Sequence, residues 1–497
     1  MKFNKALNYI LLVVLAVVTF LIYKNSLNGD FLIDDYAAIL NNPLIHNLRE
    51  FFSRHFSLRL GVLSEITLVF NWAISGSNPF GYHLFNVLIH IGCALLLFVL
   101  CNVIFKNTAL SFLASLIFAI HPIHTEAVSW ISGGPYAFSS LFFIAAMIFY
   151  VQSSQVTRNK HIFYLVLAFI IFVLCIFSGN SAVMLPVMFV CYDLFFREVQ
   201  DKTKKIKGIS RLVLFSALAI AGLFICVFFV NRNQFAHRIF HYRGLSYLVV
   251  IVKAWVYYLK ILFLPLHRGL YHPFAYNTVN IMKFTPAFFL GLPLLCLVPF
   301  LFFRSRKFLK PVSFGIMWFF VAYAPYSNII PICNIIAERY LYLPSAGFSL
   351  IVAALFLKSW EVINKSNARR ALFRILALTA LTLFLGSYTA LTIKRNYEYS
   401  NIITYWETNI RNFPDGYLAY NNLAGTYYCL GQREQAIGYS WVNLMINPNQ
   451  PHVWCNLGKV YREKGDLAQA RYCYEQALKV DKGYFPAAKA LEELRKR

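Results

Sequence analysis

An all-α, polytopic membrane helix bundle followed by a C-terminal α-solenoid is the architecture this sequence predicts, and three observations carry it. Of 497 residues, 59% are hydrophobic and 18% aromatic, only 13% are charged, and the mean hydropathy is +0.56. That balance lies outside the range of soluble globular domains. Apolar runs long enough to cross a bilayer recur up to about residue 392. Beyond that point the chain turns polar and repeats itself at an offset of 34.

The apolar runs fall at 6–23, 84–105, 109–120, 137–152, 161–177, 182–196, 211–230, 283–303, 311–326, 342–358 and 371–391, which predicts about 11 spans. The first has a basic start, but no small-residue cleavage site follows in YKNSLNGDFLIDD, so it is expected to remain as a span. A further apolar stretch, 245–266, carries Lys253 and Lys260 beside Trp255, Tyr257 and Tyr258, a pattern that predicts an interfacial or re-entrant helix.

The formal net charge of +25 does not point to nucleic acid. Its Lys and Arg residues lie in short segments between spans, REVQDKTKKIKGISR (197–211), RSRKFLK (304–310) and NKSNARRALFR (364–374), where the positive-inside rule accounts for them. These loops and the N-terminus are then cytoplasmic. The first loop, 24–82, and the polar C-terminal region are extracytoplasmic. Ten cysteines form neither a disulfide framework nor a CxxC metal spacing.

In the C-terminal region, 417–449 aligns with 451–483: Tyr420 with Trp454, Leu423 with Leu457, Tyr427 with Tyr461, Gly431 with Gly465, and Ala436 with Ala470. Bulky residues of one helix filling the gap left by small ones of its partner are the tetratricopeptide signature. Residues 406–414 read as half of a preceding repeat and 485–497 as a capping helix. The chain divides accordingly into a membrane domain, 1–392, and a repeat domain, 393–497. Such repeats can hold an extended peptide, hence a protein partner.

FLIDDYAAILNNP (31–43) places Asp34 and Asp35 just after the first span. Two solvated aspartates capping a short helix from Tyr36 is one reading, and a reacting carboxylate at the membrane face is another. Behind them, 44–60 carries Leu44, Leu48, Phe51, Phe52 and Phe56 at helical spacing against Arg49, Arg54, His55 and Arg59, which predicts an amphipathic helix among lipid headgroups. HPIHTEAV (121–128) supplies His121, His124 and Glu126, readable as a hydrogen-bonded cap at Pro122, as substrate contacts, or as ligands of a divalent metal; the metal is not favoured, because the spacing is not HExxH, and no cofactor is assigned. Glu338 and Arg339 of AERYLYLPS form either an ion pair with each other or part of a polar site at the same membrane face.

The order of FLIDDYAAILNNP, SGSNPFGYHLFNVLIH (75–90), IFAIHPIHTEAVSWISGG (117–134), MLPVMFVCYDLFF (184–196) and AERYLYLPSAGF (337–348), ahead of the repeats, resembles the transmembrane and tetratricopeptide-repeat-containing glycosyltransferases, which are similar to protein O-mannosyltransferases and belong to the GT-C class. The resemblance covers nearly the whole chain. It implies an enzyme that moves a sugar from a polyprenyl-phosphate donor to an extracytoplasmic acceptor, a protein hydroxyl or a glycan, with inversion. It also implies that an acidic residue of the first loop, Asp34 or Asp35 by position, is the catalytic centre. A leaving phosphate needs cations, for which Arg59 and Arg339 are the candidates, with His55 and Arg54 behind them. The chain departs from the family pattern at Gly134, Tyr136, Gly179 and Asn180, where the family carries charged or polar residues.

Two other readings compete: a noncatalytic membrane scaffold that presents the repeats to partner proteins, and a transporter of lipid-linked sugars. Anchoring needs far fewer spans than eleven, and transport predicts an internal symmetry among the spans that is not visible here. The compact size and short repeat array point to a bacterial inner membrane.

Overall fold

The computed structural model describes residues 5–59, 61–156, 158–196, 245–265, scattered positions between 289 and 305, 309–329, 332, 334–365 and 370–495. The predicted span at 211–230, most of that at 283–303 and most of the basic segments at 197–211 and 304–310 lie outside them. Contacts divide the chain into two units, one of residues 1–267 with 274–397, the other of 268–273 with 398–497. No strand occurs among the described residues.

Among the described residues of the first unit, six helices are long and apolar enough to cross a membrane, and a bent pair makes a seventh. They include α1 (Lys5–Tyr23), α2 (Phe80–Phe105), α4 (Gly134–Gln155), α5 (Arg158–Ser178), α7 (Ser345–Lys365) and α8 (Arg370–Glu398). The expected runs at 182–196 and 311–326 form shorter helices, Leu185–Phe196 and Lys310–Tyr323. The run at 245–266 forms α6 (Leu245–Phe263), whose Val250, Ala254, Tyr258 and Ile261 are buried against Phe319, Tyr323 and Tyr340, with Lys253 also buried.

The bent pair shows how the chain breaks a helix in an apolar setting. α3 (Thr108–Ile120) starts at Asn107, whose side chain accepts from the Leu110 N–H, and Pro122 ends it by lacking a donor. The chain turns by 51° into the short segment Pro122–Val128. The freed carbonyls find partners on other helices: His90 Nε2 lies 3.0 Å from Ala119 O, and Thr392 Oγ1 donates to Ile120 O at 2.7 Å. A break in a membrane helix is tolerated when the freed backbone is satisfied in this way.

The amphipathic helix expected over 44–60 is not continuous. Asn47 accepts from the Glu50 N–H and starts a new turn, Leu48–Glu50, which runs into a wide turn at Phe51–His55 and then extended backbone. Phe51 is buried while Leu44, Leu48, Phe52 and Phe56 are exposed, so the apolar residues divide between core and surface.

The second unit contains two helix pairs, α10 (Tyr417–Cys429) with α11 (Arg433–Ile446) and α12 (Pro451–Lys464) with α13 (Leu467–Val480), preceded by α9 (Ile402–Asn412) and followed by α14 (Phe485–Arg495). Gly431 and Gly465 stand at equivalent places with φ +75° and +90°, the left-handed turn that closes each first helix. Gly458 packs against Tyr474 so closely that a Cβ would lie 2.7 Å from the ring. Leu423, Leu457, Ala436 and Ala470 are buried, as the small-against-large pattern requires.

Candidate functional site

Asp34 and Asp35 begin a helical turn that continues through Tyr36–Leu40. Ile33, just before them, has φ +40°, a left-handed backbone that a β-branched residue adopts only under constraint. The constraint is visible in Asp35, which is fully buried. Its Oδ2 accepts from the Leu32 N–H at 2.9 Å, and its Oδ1 accepts from the Ser132 N–H at 2.8 Å and from the Ser132 hydroxyl. Asp35 makes no capping bond to the turn, so the helix-cap reading fails for it. Asp34 is exposed. Burial pushes the Asp35 carboxyl up to about 7, against the pull of its three donors.

Ser132 belongs to the wall of a cavity of about 340 Å³. Ala38, one helical turn on from Asp34, lines the same cavity, as do Glu65, Asn71, Asn86, Tyr136 and Tyr326. Gly134 and Gly179, two of the positions where the sequence departs from the family pattern, also form its wall. At Gly134 a Cβ would come within 2.3 Å of Asn86 Oδ1, so any side chain there would displace Asn86.

The loop that carries Ser132 is hung from α2. His83, Asn86 and His90 follow one another at i, i+3 and i+7 and are buried on one stripe of that helix. Asn86 Nδ2 reaches the carbonyls of Val128, Trp130 and Ile131, each at 3.4 Å. HLFNVLIH displays this spacing in the sequence. The structure supplies what it holds.

Two buried ion pairs fix the next loop. Arg339 donates from its guanidinium to Glu126 Oε1 and from its backbone N–H to Oε2 at 2.8 Å, and its guanidinium lies 5.3–5.6 Å from the ring centres of Trp130, Tyr136 and Tyr340. Glu338 pairs with Arg395 of α8. The expected pair between Glu338 and Arg339 is therefore replaced by two pairs to distant partners. Backbone geometry explains the exchange, because neighbours in the tight turn 338–341 project in different directions. Arg395 carried no signal in the sequence, standing at the polar end of an apolar helix.

His121 and His124 are fully buried. His121 Nε2 lies 3.1 Å from Leu262 O and its Nδ1 accepts from the Ile123 N–H, while His124 Nε2 lies 2.7 Å from Ser345 Oγ. The bond to Ile123 caps the turn at Pro122. Neither His121, His124 nor Glu126 lines the cavity, and no three His, Cys, Asp or Glu side chains among the described residues come together to hold a metal ion. Arg59 is half-exposed and paired with Glu65 of the cavity wall. The side chains of Arg54 and His55 lie outside the described residues.

The tetratricopeptide repeat family matches residues 451–484. Along most of its length the chain is similar to animal proteins described as protein O-mannosyl-transferases. One from Caenorhabditis elegans, F38B6.6, is 26% identical over 96% of this chain and 63% of its own length. Human TMTC3 is 24% identical over 92% of this chain and 53% of its own length. Human TMTC2 is 35% identical over a shorter stretch, 26% of this chain and 17% of its own. The chain thus spans between half and two thirds of the length of the first two. The relatives being animal proteins, they lend no support to a bacterial inner membrane.

Proposed function

Since the chain fits a family of transmembrane glycosyltransferases that carry tetratricopeptide repeats, we propose that it transfers a sugar, mannose by analogy with the relatives' names, from a polyprenyl-phosphate donor to a hydroxyl of a protein or glycan on the extracytoplasmic side. The observation that carries this reading is a cavity whose wall includes Ser132, the hydrogen-bond partner of Asp35, and Ala38, one helical turn on from Asp34, although neither aspartate is itself in that wall.

The two carboxylates divide the work. Asp34 is exposed, one turn from the cavity wall, and acts as the base that takes the proton of the acceptor hydroxyl as it attacks the anomeric carbon. Asp35 is saturated with donors and buried, so it is a positioning residue that ties the turn carrying Asp34 to the Ser132 loop. Attack and departure on opposite faces in a single displacement invert the anomeric carbon. The leaving phosphate needs a cation. Arg339 is engaged by Glu126 and enclosed by rings, which leaves Arg59 as the side chain within reach of solvent.

The test is turnover of polyprenyl-phosphate sugars by purified protein in detergent. Wild type is expected to release sugar from one donor, and Asp34→Asn to lose about 100-fold or more with an unchanged melting temperature, as removal of a general base does. Full activity in Asp34→Asn rejects the assignment. Wild-type silence with every donor favours the scaffold.

A further inference from the structure

Glu65 is the one charged side chain among the described residues lining the cavity; amides, hydroxyls, aromatic rings, small residues and the aliphatic Leu68 and Ile131 make up the remainder of its wall. Its carboxylate is met by the guanidinium of Arg59, which does not itself line the cavity, and the two side chains are 38% and 49% exposed. Arg59 also donates to Ser57 Oγ at 2.8 Å. Gly61, which lies between them and also lines the cavity, has φ +82° and open space where a Cβ would stand. A left-handed turn with room around it therefore joins the arginine to the helix that carries its partner, Val62–Ser75.

An exposed pair of this kind contributes little and exchanges readily. A phosphate group offers Arg59 two oxygens in the fork geometry that guanidinium prefers. A freed Glu65 carboxylate accepts hydrogen bonds only, which suits hydroxyls and repels anions.

On the transferase reading above, we propose that Arg59 and Glu65 form an exchange site at the cavity mouth: the phosphate of a glycosyl phosphate takes Arg59 from Glu65, and the released carboxylate receives the hydroxyls of the sugar. The two halves of the ligand are then coupled. A free anion breaks the pair but leaves an uncompensated carboxylate beside it. A neutral sugar meets a carboxylate that is already occupied. Only a molecule carrying both groups is favoured on both sides, so Glu65 sets specificity without taking part in the chemistry.

The experiment is calorimetric titration of the full chain in detergent with mannose 1-phosphate, methyl mannoside and inorganic phosphate, for wild type, Glu65→Gln and Arg59→Gln. Wild type is expected to prefer mannose 1-phosphate over either fragment. Glu65→Gln frees the arginine, binds inorganic phosphate about fivefold tighter, the upper worth of an exposed pair, and loses discrimination between phosphate and sugar phosphate. Arg59→Gln loses the preference for mannose 1-phosphate over methyl mannoside. Both side chains are partly exposed, so both variants keep the wild-type melting temperature. Equal affinities in all three proteins overturn the exchange. Donor turnover measured alongside separates the two ideas: turnover with unchanged affinities discards the exchange alone, and shifted affinities without turnover retain the exchange and discard the transferase.

Discussion

Asp34 and Asp35 are adjacent, yet one faces solvent and the other has no exposed surface. Asp35→Asn puts an amide N–H₂ where a carboxylate oxygen accepted a donor, a mismatch worth about 1–3 kcal/mol of stability, measurable as a lower denaturation midpoint. The acid side adds a pH signature. The Asp35 carboxyl is raised from 3.8 to about 7 in the fold, so the folded chain binds more protons than the unfolded one between those values. Its contribution to stability is therefore greatest below about 4 and declines as pH rises towards about 7. Comparing the melting of wild type and Asp35→Asn across that window isolates this contribution, and a constant difference between them would refute the assigned environment. The sequence made the pair conspicuous, since charges after a span are costly to place. It could not separate the two, because the difference depends on Ser132, 97 residues away and an unremarkable residue type.

At the scale of elements, the polar stripe of α2 determines where the Ser132 loop sits. Asn86→Leu leaves the carbonyls of Val128, Trp130 and Ile131 without their side-chain donor and is expected to cost about 1–3 kcal/mol, read by thermal melting in detergent. In the repeat region, Gly458→Ala drives a methyl into the Tyr474 ring and is expected to cost about 1–3 kcal/mol. Unchanged melting in either variant contradicts the packing described. The repeat helices were legible because tetratricopeptide packing is written locally, as large and small residues at a fixed offset. The helix expected over 44–60 was misread because apolar spacing alone does not register a side chain such as Asn47, which closes one turn and opens another. Of the two readings of Glu338 and Arg339, the pair with each other does not form for a related reason: their partners stand 57 and 213 residues away, and nothing local records that approach.

For the whole molecule, the distribution of Lys and Arg predicts that the polar C-terminal region lies on the side of the membrane opposite the basic loops. Cys429 reports on that placement, being the exposed cysteine of the second unit, whereas Cys473 is buried. In sealed right-side-out vesicles, a membrane-impermeant maleimide is expected to label Cys429, and Cys429→Ser to lose most of the signal. Labelling that requires permeabilisation would reverse the topology. The helical class and membrane character were plain from composition, because hydrocarbon selects so strongly for apolar helices. The number of crossings was less so: about eleven were expected, and among the described residues six or seven helices meet the requirement.

The crossed ion pairs impose an order on biogenesis. Glu126 emerges from the ribosome long before Arg339, and Glu338 before Arg395, so each acid precedes its base through synthesis and insertion. Glu338 can meet Arg395 only once α8 is in place. The ion pair that ties the 338–341 turn to α8 therefore forms only after that helix arrives. A nascent chain arrested before residue 395 would be an early target for membrane quality control, while one released a few residues later would already have its closing cation.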